Sequence, residues 1–300
     1  MNTISFSETD DLIDIRKDNV FKAVFTKDTP ASKGALSKLV SAFIKRDVSI
    51  ETINANEPSI ENLRDRQIRF DIKCKAENGE LINAEMTLDP DPFEPVRLEF
   101  HSSKLFIGQD IRGADKEYSD LKETYQIAIL AKKFFFSDEE ICHTFKYYDH
   151  EHNVSLNGKS SIITIELSKL DKIIEKPAEE MNPAEHWAVF FEYLTDKKRR
   201  DKINEIIAYQ EGIAMASEVL ITISKDERER AWLESQLKYE LDNQSKITHA
   251  KKEGISIGEK IGEEKGEKKG VKKGEKNIID LLISGKTPEE IIREYRNNLS

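Results

Sequence analysis

The stretch from Arg66 to Leu88 constrains this chain more than any other, because its apolar residues recur with a period of two. Ile68, Phe70, Ile72, Cys74 and Ala76 alternate with Arg69, Asp71, Lys73 and Lys75. After Asn78-Gly79, the residues Ile82, Ala84, Met86 and Leu88 alternate with Leu81, Asn83, Glu85 and Thr87. Such alternation predicts two half-buried strands, and the Asn-Gly step predicts a tight hairpin between them. Register then decides what the hairpin can do. A two-residue Asn78-Gly79 loop would pair Glu77 with Glu80 and Asp71 with Met86, mixing apolar and polar side chains on both faces. A three-residue loop, Glu77-Asn78-Gly79 with Gly79 left-handed, pairs Ala76 with Glu80, Cys74 with Ile82, Ile72 with Ala84, Phe70 with Met86 and Ile68 with Leu88. One face is then wholly apolar, and burial selects this register. It also sets Asp71 directly across from Glu85.

Opposed like charges destabilise a sheet unless something compensates them. Two compensations fit. One is Mg²⁺ or Mn²⁺ held by Asp71 and Glu85, with the Met86 carbonyl as a third oxygen ligand. Such an ion lowers the pKa of a bound water and screens charge on a phosphate under attack. The other is a solvated hairpin face on which Arg69 and Lys73 neutralise the two acids.

Around the hairpin the periodicity is mostly helical. Phe21, Val24 and Phe25 mark a helix from about Asp18, with Asp18 placed to cap it or to complement its dipole. Leu36, Leu39, Val40 and Phe43 mark a second, after a loop at Asp28-Thr29-Pro30. A Pro-rich loop from Asp89 to Pro95 leads into a long helix from about Val96 to Gly108. Strand-like runs follow at Thr124–Leu130, Cys142–Asp149 and Ser161–Leu167, and beyond Asp171 the pattern is helical nearly to the end. This order implies an α/β (α+β) core built on a central mixed β-sheet flanked by helices, with a helical C-terminal region. The expected organisation is a core at 14–170, a helical extension packing on it at 171–250, a linker at 251–276 and a small helical hairpin at 277–300. In the linker, glycines recur every four residues from Gly254 to Gly274 among charged neighbours. Each costs about 1 kcal/mol of helix stability relative to Ala, so a weakly helical, solvated segment is expected.

Composition narrows the class of protein. Net charge is −10 over 300 residues, which argues against a nonspecific, charge-driven nucleic-acid coat. No apolar run approaches the roughly 20 residues that cross a bilayer, and a polar, acidic N-terminus resembles no secretory leader. Two cysteines, Cys74 and Cys142, sit in apolar strand-like runs and read as buried free thiols, so the expected setting is cytoplasmic with no membrane partner. His143, His150 and His152 read as surface histidines rather than zinc ligands. Trp187, Phe190, Phe191 and Tyr193, at helical spacing, read as core rather than a base-stacking surface. Lys197-Lys198-Arg199-Arg200 reads as a solvated helix start.

The pattern Phe70-Asp71-Ile72, a turn, then Asn83-Ala84-Glu85-Met86 resembles the core of the PD-(D/E)XK nuclease family transposases, the Rpn-type recombination-promoting nucleases. Asp18-Asn19-Val20-Phe21-Lys22-Ala23-Val24-Phe25 is similar to that family's opening helix. Arg97, His101-Ser102-Ser103-Lys104-Leu105 and Gln109 are similar to its helix after the hairpin. Gly113, Tyr118, Leu121 and Tyr125-Gln126-Ile127 fit the segment that follows, and the resemblance runs over roughly residues 14 to 240. It implies a restriction-endonuclease-like PD-(D/E)XK core and a Mg²⁺-dependent DNA endonuclease linked to recombination or mobile elements. Asp71 and Glu85 would be its metal-binding carboxylates, and Arg97, His101, Lys104 and Gln109 its DNA-contacting residues.

One departure matters. The family usually carries Gln, and the wider superfamily Lys, two residues after the glutamate, where this chain has Thr87. A hydroxyl on the Glu85 face supplies no cation. Lys73, on the Asp71 face, and Lys104, on the following helix, are the candidates to have taken that role. Arg97, His101 and Lys104 at i, i+4 and i+7 read as one basic stripe facing the DNA backbone or as an ordinary solvated face. The rival expectation is a degenerate nuclease fold that binds DNA or a protein without cutting. A third makes the C-terminal helices a homo-oligomerisation module.

Overall fold

The computed structural model describes residues 4–54, 71–109, 111, 116–132 and 136–297; for residues 54, 227–231, 233–250, 253 and 294–297 it describes the backbone alone. Two helices open the chain, α1 (Asp18–Thr26) and α2 (Pro30–Ile44). Lys17 holds the N-cap position without a side-chain cap, so Asp18 acts in the first turn, where it complements the dipole and does not cap. In α2, Thr29 caps by accepting from the Ser32 N–H, and Pro30 begins the helix where its missing N–H costs nothing.

Next come β1 (Ile50–Asn54), β2 (Ile72–Ala76) and β3 (Leu81–Thr87), then α3 (Glu94–Ile107), β4 (Thr124–Leu130) and β5 (Cys142–Phe145). The short strands β6 (Tyr148–Asp149) and β7 (Val154–Ser155) precede β8 (Ser160–Glu166). Helices α4 (Pro183–Tyr193), α5 (Arg200–Tyr209), α6 (Glu211–Lys225), α7 (Glu227–Ile283) and α8 (Pro288–Asn297) complete the chain. Six strands form one mixed sheet in the order β1-β2-β3-β4-β8-β5. The three central strands, β3, β4 and β8, run parallel, and the outer pairings are antiparallel.

The hairpin has the register expected from burial. Ile72 faces Ala84, Lys73 faces Asn83 and Cys74 faces Ile82. The Ala76 N–H donates to the Glu80 carbonyl across the three-residue loop, and Gly79 takes a φ of +89°. The expected partners Ile68 and Phe70 lie outside the described residues, as do Arg66, Arg69 and Gly113. Two expectations change. The run Cys142–Asp149 divides: β5 joins the main sheet, while β6 pairs with β7 in a separate hairpin. That hairpin turns at Asn153 (φ 58°), with Asp149 accepting from the Glu151 and His152 N–H groups. And β1, which the sequence reading left unassigned, adds an edge strand to β2.

Alternation along β4 separates the two faces of the sheet. Ile127 and Ile129 join the main core with α1, α2, α4, α5 and α6, whereas Ala128 and Leu130 pack against Leu98 of α3. Trp187, Phe190 and Phe191 are fully buried there; the Trp187 ring centroid lies 5.8 Å from that of Phe25. Helices α4, α5 and α6 are therefore part of the same core as α1 and α2. Cys74 is buried and Cys142 half-buried, both as free thiols, and burial pushes the Cys74 thiol up to about 12. Arg200 is buried beneath the Phe6 ring and donates to the Leu194 carbonyl, so the basic run is solvated only up to that point.

The chain divides into two compact units, Met1–Leu237 and Lys238–Ser300. Within the second, α7 continues through all six periodic glycines, and nothing lies within 4 Å of where a Cβ would stand on any of them. Gly285 (φ +92°) breaks the helix, and Thr287 and Glu290 cap α8 reciprocally. Among the described residues, no single helix is long and apolar enough to cross a membrane.

Candidate active site

Asp71 stands one residue before β2, and continuing the register from the Ile72–Ala84 pair sets it opposite Glu85. Freed from the paired strand, its carboxylate reaches two elements. Oδ2 accepts from the Met86 N–H at 3.3 Å, and Oδ1 lies 3.2 Å from Lys22 Nζ on α1. Lys22 Nζ also lies 2.8 Å from Asp18 Oδ2, one helical turn earlier. Glu85 lies beneath α3, with 1% of its side chain exposed. Its Oε2 is 3.1 Å from His101 Nδ1, and its Oε1 is 3.3 Å from Arg97 Nη2.

Arg97 connects the whole cluster. Nη2 donates to Thr87 Oγ1 at 2.8 Å, Nε donates to both oxygens of buried Glu94, and Nη2 ion-pairs with Glu94 as well. The guanidinium therefore rests against the hydroxyl of the residue that departs from the family pattern. Thr87 brings no cation of its own, but one reaches it from the helix above.

Burial raises the Asp71 carboxyl to about 7, and the like charges of Asp18 and Glu85 add to this more than Lys22 offsets it. Burial also works against the Lys22 ammonium, yet Asp71 and Asp18 hold its pKa above the ordinary value. Arg97 is likewise held up against burial by Glu94 and Glu85. A carboxyl that titrates near neutrality between two other acids is characteristic of sites built for chemistry rather than stability.

The donor chemistry fits a hard divalent ion. Asp18, Asp71 and Glu85 are electrostatically linked, and Asp18 Oδ1 is buried without a hydrogen-bond partner. The N–H and C=O of one strand residue point to the same neighbour, so the Met86 carbonyl opens on the side from which its N–H meets Asp71. Among the described residues, no three His, Cys, Asp or Glu converge tightly enough to hold an ion, so Asp71 and Glu85 would need the Met86 carbonyl as a third ligand.

The remaining expected residues are dispersed. Lys73 is half-buried on β2 opposite Asn83, whose amide donates to Gln126 Oε1 at 3.0 Å. His101 is buried and turned to Glu85, while Lys104 is exposed, its Nζ 5.9 Å from the Phe100 ring centroid. The stripe Arg97-His101-Lys104 is thus split between the sheet and solvent. Gln109 spends both ends of its amide on the Lys122 backbone and pins the loop into β4. His143 and His152 pair with Asp138 and Asp149, in keeping with surface histidines.

The sequence assigns no site role to Lys22 or Glu94 and reads Arg97 as a DNA contact or as part of a solvated face. The signals were visible as helical pairs: Asp18 and Lys22 at i, i+4, Glu94 and Arg97 at i, i+3. No curated protein and no solved structure matches the chain. The family model for the PD-(D/E)XK nuclease family transposase matches residues 15–250, a span that takes in α1, the hairpin with both carboxylates, and α3. With the mixed sheet and the β2–β3 hairpin beneath that match, the chain belongs to the PD-(D/E)XK nuclease family transposases.

Proposed function

We propose that this protein hydrolyses DNA phosphodiesters with Mg²⁺ or Mn²⁺ bound by Asp71, Glu85 and the Met86 carbonyl, in recombination or the movement of mobile elements. The observation that carries this reading is the half-buried Asp71 carboxyl, held near neutrality by desolvation and by the like charges of Asp18 and Glu85. When bound, the ion would lower the pKa of an attacking water and screen charge on the scissile phosphate. Above neutral pH the Asp71 carboxylate is ionised and available as a ligand. His101 fixes the orientation of Glu85 through Oε2. Arg97, against Thr87, takes the cationic role that Lys73 and Lys104 were candidates for, and Lys22 supplies a second positive charge beside Asp71. Lys104, exposed on α3, would meet the DNA backbone in this reading. A reducing, cytoplasmic setting suits the two free thiols.

Nicking of supercoiled plasmid tests this directly. With Mg²⁺ or Mn²⁺, wild type is expected to cut the plasmid or a single-stranded circle and Asp71→Ala to cut neither; no cutting of either DNA by wild type, or equal cutting by both proteins, ends the catalytic claim. Arg97→Ala should lower the rate by roughly 100-fold, the usual loss for one electrostatic donor. Adding Thr87→Lys to that variant should recover part of it.

One observation favours a second reading, a binding protein that does not cut. Lys22 and Arg97 already neutralise Asp71 and Glu85, so the acids are compensated without an ion. Calorimetric titration with Mg²⁺ separates the two, since a degenerate site gives no saturable heat.

A further inference from the structure

The helix that closes the site carries exposed aromatic rings that the proposed chemistry does not use. Phe93, at its N-cap, and Phe100 are 75% and 51% exposed, and Arg97 and Lys104 alternate with them along the helix. Positions 93, 97, 100 and 104 fall at i, i+4, i+7 and i+11, a single stripe on one side of the helix. Val96 and Ile107, also exposed, flank it. Arg97, in the same stripe, reaches Glu85, so the aromatics flank a residue of the candidate site along the helix. On the flank of α3, Pro95, Glu99 and Ser102 line a cleft of about 240 Å³ with Phe145, Tyr147 and Ile162. Phe145 and Tyr147 are exposed as well.

We infer that the outer face of α3 is a stacking surface for unpaired DNA bases, so that the substrate is single-stranded or branched DNA rather than intact duplex. The inference rests on the nuclease reading for where the scissile phosphate lies. Intact duplex presents phosphates outward and buries the faces of its bases. Binding it needs many free cations, and here the net charge is −10 and Arg97 is committed to Glu94 and Glu85. Exposed rings interleaved with cations suit the opposite case, where splayed bases stack and the few cations follow the backbone.

The test is binding of the full chain, in EDTA, to oligonucleotides of equal length that are single-stranded, flapped or fully paired, with 2-aminopurine reporting stacking. Single-stranded and flapped DNA should bind at least about tenfold more tightly than duplex and quench the probe. Phe100→Ala and Phe93→Ala should each lower single-strand affinity by about tenfold. Phe100→Trp should retain it and Phe100→Leu should not, which separates stacking from general apolar contact. Both positions are exposed, and circular dichroism checks that the variants remain folded. Equal affinity for duplex and single strand, or wild-type binding by both alanine variants, as expected if a protein partner covers this face, would overturn the inference. Because binding is read without metal, an inactive protein that prefers unpaired DNA sinks only the catalytic reading. One that nicks plasmid without that preference sinks only this one.

Discussion

At the scale of single residues, Asp71 is the most informative. Its carboxyl titrates near 7 in the folded protein, against about 3.9 in an unfolded chain. The native state keeps a proton that the unfolded state has lost, so this group's contribution to stability falls as pH rises from about 4 to about 7. Asp71→Asn removes the charge while keeping the shape. The variant should therefore melt close to wild type near pH 4 and several degrees higher near pH 8 in EDTA. Added Mg²⁺ should raise the wild-type melting temperature and leave the variant unmoved, because an ion that binds only the native state stabilises it. A gap between the two proteins that is constant with pH would remove the assignment. Glu85, Glu94 and Thr87 share one guanidinium, and no composition or spacing rule announces that sharing. It follows from the height at which α3 crosses β3.

Among the elements, the β2–β3 hairpin and α3 behaved differently as sequence signals. The hairpin was legible down to its register, because side chains alternate with a period of two and only one register collects Ile72, Cys74, Ile82, Ala84 and Met86 on one face. Gly79 is the turn residue that register requires. At φ +89° a side chain is strained, and an added Cβ would also meet the Lys122 side chain at 3.3 Å. Gly79→Ala should cost about 1–2 kcal/mol, read as a lower urea midpoint at unchanged slope. An unshifted midpoint would show that the loop relaxes elsewhere. The helix was legible only as a helix. Its basic stripe reads as solvent-facing in one dimension, yet a parallel sheet is covered on both faces, and the cover turns His101 and part of Arg97 inward. The same cover buries Asn83 and Glu85, which alternation alone would leave in water.

For the whole molecule, the sheet and both layers that cover it lie within the first compact unit, and the glycine-periodic part of α7 lies in the second. A chain ending at Leu237 should keep the melting transition of the full protein and lose only helical signal in circular dichroism. A collapse of that transition would show that the second unit supports the fold. Light scattering on the same pair tests whether the C-terminal helices hold copies of the chain together. The division at 170 expected from the sequence rested on a change from strand to helix periodicity. Periodicity reports which face of an element is apolar but not which neighbour covers it, and Trp187, Phe190 and Phe191 turn out to share a core with Phe21 and Phe25. Local pattern by itself determined the strands of the hairpin, their register, the turn at Gly79 and the opposition of Asp71 and Glu85, since each depends on neighbours a few residues apart. Only the tertiary structure decided which cations meet those carboxylates. Lys22 arrives from α1 and Arg97 from α3, and charge partners across a fold are set by how elements pack, a long-range outcome that no short window of sequence contains.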